Sequence, residues 1–138
     1  MPEQTRVKRH TILHFCNNLT ILTVRGWIMK EMGYRVLNSA TADEAIALAR
    51  QKCVDVVVID LDKNSPEAVL VAKEARLSQP DVAILVLAEA NEPVAEIHHL
   101  ADRMISRLAK IEGAMKIIQN LVRHSCERSA SGPDGVIQ

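Results

Sequence analysis

Two hydrophobic patterns alternate along the chain. Short strand-like runs recur at His10 to Cys16, Tyr34 to Asn38, Val54 to Leu61 (with the continuous run VVVI), Val82 to Ala88 (VAILVLA) and, more weakly, Met104 to Leu108. β-branched runs with no polar alternation are typical of strands buried on both faces of a parallel sheet. Between them lie stretches with helical spacing. The first predicts a helix from about Leu19 to Met32, with Ile21, Val24, Ile28 and Met32 on one face and Gly33 closing it. Thr41 opens T-A-D-E, a capping box with Glu44, for a helix to about Gln51 with Ala45, Leu48 and Ala49 inward. Ser65–Pro66 starts a helix to about Ser78, with Ser as cap and Pro in the first turn. Pro93 opens a short helix with Val94, Ile97 and Leu100, and a last helix aligns Ile111, Ala114, Ile118 and Leu121.

Strand and helix alternating five times means right-handed βαβ units and a three-layer α/β fold, a doubly wound five-stranded parallel sheet with helices on both faces. Ligands of such sheets sit at the C-terminal strand ends. That rim brings Cys16, Asn17, Asp60, Ala88 and Arg107 together. Residues 1–9 read as an arm, 10–124 as one domain and 125–138 as a flexible Ser- and Gly-rich tail.

Composition narrows the function classes. The chain has 138 residues, 48% hydrophobic but only 2% aromatic, so its core is aliphatic. Seventeen Lys and Arg balance 17 Asp and Glu, which gives no electrostatic footprint for nucleic acid or an anionic membrane. Cys16, Cys53 and Cys126 are odd in number and widely spaced, which argues against a disulfide framework or structural zinc. With no signal-like or membrane-length apolar run, a cytoplasmic location is expected.

The register resembles the receiver domains of two-component response regulators over about Thr11 to Val122. ILHFCNN…EMGYRV is similar to that family's first strand and helix, VDVVVIDLDKNSPEA to its third strand and following loop, VAILVLAEA to its fourth strand and ADRMISRL to its fifth. The resemblance implies a flavodoxin-like (receiver) topology. It puts the phosphoacceptor on Asp60, the metal-holding acidic pair on Cys16 and Asn17, the switch positions on Ala88 and Met104, and the lysine on Arg107. Asp60, and Asp62 two residues on, are the negative charges left to hold Mg²⁺, so metal binding is expected to be weak or absent. Arg107 keeps a positive charge whose planar fork is able to grip Asp60.

These departures lead to the expectation of a degenerate, stand-alone receiver-like domain that is not an enzyme. It acts on a protein partner, a histidine kinase or signalling effector, through residues 93–123, with homodimerisation by the same face as an option. Two alternatives stand beside it. In one, Asp60 is phosphorylated by a histidine kinase in a phosphorelay. In the other, the chain is a flavodoxin-like flavin or thiol-redox protein. The loop CNNLT, which lacks Gly, and the scarcity of aromatics weigh against flavin. Cys16 lies before a helix N-terminus, where a thiol's pKa can fall, but Asp60 opposes that. His14 is out of place in a buried strand and reads as a core histidine with its hydrogen bonds met, not as a metal ligand.

Overall fold

The computed structural model describes residues 9–61, 66–88, 95–106 and 112–123. The elements run β1 (Thr11–Phe15), α1 (Leu19–Glu31), β2 (Arg35–Ser39), α2 (Ala42–Gln51), β3 (Val56–Asp60), α3 (Pro66–Ser78), β4 (Ala83–Ala88), α4 (Ala95–His98) and β5 (Arg103–Ser106). A last helix, α5, covers 112–123. The five strands form one sheet in the order β2-β1-β3-β4-β5, and every neighbouring pair is parallel. This is the three-layer doubly wound architecture expected from the alternation.

The pleat divides the core. Leu13, Phe15, Val57, Ile59, Ile84 and Val86 face α2 and α3, which present mostly alanine (Ala45, Ala49, Ala68, Ala72, Ala75) and so lie close to the sheet. Ile12, Val56, Val58, Ala83, Leu85 and Leu87 face the other way, onto Met29 of α1 and Met115, Ile118 and Val122 of α5. β3 and β4 are buried along their whole length, as a β-branched run demands of central strands. Each fully buried Val, Leu or Ile contributes about 1.5–3 kcal/mol of transfer free energy. The aliphatic core therefore compensates for having Phe15 as its one buried aromatic.

Side-chain caps fix the helix starts. Asn18 Oδ1 accepts from Ile21 N–H at 3.0 Å, and Thr41 Oγ1 from Glu44 N–H at 3.1 Å. Gly33 takes φ 103°, the left-handed conformation that ends α1 cheaply only for glycine. At the opposite end of the sheet, Arg76 of α3 donates to Val82 O at 2.6 Å and Leu100 O at 3.0 Å, while Asp102 accepts from Ile84 N–H at 2.7 Å. α3, β4 and β5 are thus tied together at the N-terminal ends of the strands.

One expected helix face is corrected. The apolar positions Ile21, Val24, Ile28 and Met32 do not form the buried side of α1, since Val24 is 52% and Met32 50% exposed. The buried positions are Leu22, Gly26 and Met29. The inward stripe is therefore 22, 25, 26 and 29, the i, i+3, i+4, i+7 pattern of a helix face, with arginine and glycine in its middle. The strand boundaries shift by one or two residues, as element ends commonly do. The expected starts at Ser65 and Pro93 and the end of the last strand at Leu108 lie outside the described residues. No described helix is long and apolar enough to cross a membrane.

Candidate functional site

Strand register sets the site row by row. His14 of β1 pairs with Asn38 on one side and Val58 on the other. Two residues further, on the same face, stand Cys16 just past β1 and Asp60 at the end of β3. This places a polar row, Asn38 and His14, directly behind a second one, Cys16 and Asp60, beneath α1. His14 is 0% exposed and Asp60 4%, unusual values for groups of this kind. Both need partners, because an unpaired buried polar group costs about 1–3 kcal/mol and a buried charge more.

Arg25, from the middle of the inward stripe of α1, joins the two rows. Its Nη1 lies 3.0 Å from Asp60 Oδ2 and 3.3 Å from His14 Nε2. An arginine has no acceptor. Nε2 must therefore accept, and the ring proton sits on Nδ1, which donates to Asn38 Oδ1 at 3.2 Å. The result is a continuous chain, Asn38–His14–Arg25–Asp60. Burial first, and the Arg25 charge second, lower the His14 pKa from 6.5 to about 4. Asn38 in turn needs room under the helix. A Cβ added at Gly26 would lie 2.6 Å from Asn38 Oδ1, so a larger residue there would push the Asn38 amide out of its place under α1.

Cys16 completes the second row. Its thiol donates toward Asp60 Oδ2 and Asn18 O, each at 3.6 Å. Burial is the largest cause raising its pKa, with the Asp60 charge adding to it, while the Asn18 contact and Arg25 oppose. A buried thiol held protonated is a poor nucleophile and a poor redox sensor. Asn17 is exposed. Ala88 is buried at the end of β4 and has no hydroxyl to offer, and Met104 is half-buried against the α2–α3 side of the core. Arg107 and Asp62 lie outside the described residues.

The structure thus sets the Cys16 thiol against Asp60, leaves Ala88 at the end of the neighbouring strand β4 packed on the α2–α3 side, and adds three residues that the sequence pattern did not assign to the site: Arg25, Asn38 and Gly26. The donor set does not fit a hard divalent cation. Mg²⁺ asks for oxygen ligands in octahedral array at about 2.0–2.1 Å. Among the described residues beside Asp60 stand a buried thiol, Cys16, and an exposed amide, Asn17, and a guanidinium already lies against Asp60 Oδ2. Among the described residues no group of three or more His, Cys, Asp or Glu is placed to hold a metal.

No protein-family model and no curated protein sequence matches the chain. Solved structures do. A CheY-like response regulator receiver domain protein from Methanospirillum hungatei superposes with TM-score 0.78 at 18% identity, over 88% of this chain and 99% of that one. A structure described as adenylate cyclase from Rhodopirellula baltica gives 0.79 at 14% identity, over 94% and 98%. A response regulator from Burkholderia pseudomallei with a phosphorylated aspartic acid, calcium ion and citrate gives 0.68 at 23% identity, over 89% and 72%. The chain has the flavodoxin-like fold of response-regulator receiver domains.

Proposed function

We propose that the chain is a receiver-like signalling domain, built of residues 10–124, that acts by binding a protein partner without phosphorylation of Asp60. The observation that carries this reading is the Asp60 carboxylate itself. It is buried, paired with Arg25 at 3.0 Å and flanked by the Cys16 thiol where an attacking carboxylate needs a metal-binding acid. Phosphoryl transfer to a carboxylate depends on cations that neutralise the phosphoryl oxygens in line with the attacking oxygen. Here the cation next to Asp60 is tethered to the attacking group. The domain catalyses nothing in this reading and works in the cytoplasm. The partner is a kinase or effector protein met through residues 93–123, whose described part includes the short edge strand β5, with Arg103 and Ser106 exposed.

The alternative, phosphorylation of Asp60 by a histidine kinase, is favoured by the position of Asp60 at the end of β3 and by the phosphorylated aspartic acid of the Burkholderia structure of the same fold. Capture of partners from source cells by the unphosphorylated chain separates the two. A partner held equally by the parent and Asp60→Asn, and lost with Arg103→Glu, is the expected result. Loss with Asp60→Asn alone overturns the phosphorylation-independent reading.

A further inference from the structure

We infer that Arg25 is a resident cation of this site, standing in for a divalent ion at Asp60, and that His14 and Asn38 are positioning residues that hold it there. This role of Arg25 is separate from the proposed function, since a domain can lack phosphorylation for reasons unconnected with Arg25. Four observations converge. A carboxylate at 4% exposure requires a compensating positive charge, and the Arg25 guanidinium meets it at 3.0 Å with its own side chain 16% exposed. The arginine sits in the buried stripe of α1, where an apolar residue would otherwise pack against the sheet. The same Nη1 that meets Asp60 is steadied by His14 Nε2 at 3.3 Å, a neutral acceptor whose tautomer is set by Asn38. Gly26 supplies the clearance that Asn38 requires. Each feature is costly or unusual alone: an arginine on the buried face of a helix, a glycine within that helix, a histidine inside a strand, an asparagine beside it. Together they place one positive charge on one carboxylate oxygen.

If the guanidinium is the cation of this site, the parent should take up no divalent ion there. Melting temperatures would be measured for the parent and Asp60→Asn with and without about 10 mM Mg²⁺ or Ca²⁺. No rise is expected in the parent, and a rise of roughly 3 °C or more that is missing from Asp60→Asn overturns the inference. Resolved, slowly rotating Arg25 guanidinium NMR signals are expected, collapsing to averaged ones in Asp60→Asn, and averaged signals in the parent overturn it. For the positioning residues, His14→Phe should average those signals and His14→Gln, which keeps an acceptor, should restore them. Signals unchanged in His14→Phe would remove the positioning role.

Discussion

Replacing Arg25 with methionine is expected to cost about 3–5 kcal/mol of folding stability, the range for breaking a buried ion pair by removing one partner. The cost arises mainly from what stays behind. Asp60, with its side chain 2% exposed, stays in a low-dielectric site and loses the guanidinium that lay 3.0 Å from it. His14 Nε2 loses its donor in the same step. Methionine fills the arginine's aliphatic volume, so packing loss is kept small. Removing the carboxylate charge as well, in Arg25→Met with Asp60→Asn, should recover much of the loss, a non-additivity expected of contacting residues. Urea unfolding of the four proteins of this cycle measures it. A single-variant loss within about 1 kcal/mol, the worth of an exposed pair, would show that the two charges are effectively solvated. For a domain with a total stability of about 5–15 kcal/mol, the expected loss is a large share of the fold.

Acid should weaken the fold earlier than surface carboxylates alone would make it do, because of His14. In the unfolded chain the imidazole takes a proton near 6.5, whereas in the folded protein burial and the Arg25 charge delay this to about 4. Between these values unfolding takes up a proton, so lowering the pH favours the unfolded state. The stability from keeping His14 neutral is complete above pH 6.5, falls by up to about 1.4 kcal/mol per unit below it, and stops changing below pH 4. By pH 5 the loss is about 2 kcal/mol. His14→Gln keeps an acceptor for Arg25 but cannot titrate, and serves as the reference. Unfolding midpoints at pH 7 and pH 5 should diverge between parent and variant by that amount. Equal pH dependence in the two would mean that His14 protonates freely in the fold.

The sheet and most of its helices were legible because they rest on local signals. VVVI and VAILVLA have no polar alternation, and Asn18, Thr41 and Gly33 carry cap and turn chemistry that acts at one position. The meeting of Asp60 and Cys16 at the C-terminal strand ends was legible from strand order. The Arg25 cluster was not, for a physical reason. Helix α1 has two competing stripes. Ile21, Val24, Ile28 and Met32 look like a core face, whereas the true one carries Arg25 and Gly26 between Leu22 and Met29. A hydrophobic pattern assigns burial by side-chain polarity, so a helix that buries an arginine against a partner three elements away reads backwards. The signal that would have revealed it is the coincidence of misfits. His14 is polar in a buried strand, Asn38 is polar directly opposite it in register, and Gly26 interrupts the helix that must cover them. Each misfit taken alone has a bland explanation, and only their shared layer points to a buried polar chain.

The measurement that bears most directly on the central claim, that Asp60 is held by its arginine and not used as a phosphoacceptor, is intact mass after incubation with acetyl phosphate or phosphoramidate and Mg²⁺, with Asp60→Asn as control and circular dichroism to verify folding. No phosphoryl adduct on the folded parent is the result this account predicts. An adduct on the parent that is missing from Asp60→Asn would contradict it and establish Asp60 as a working phosphoacceptor.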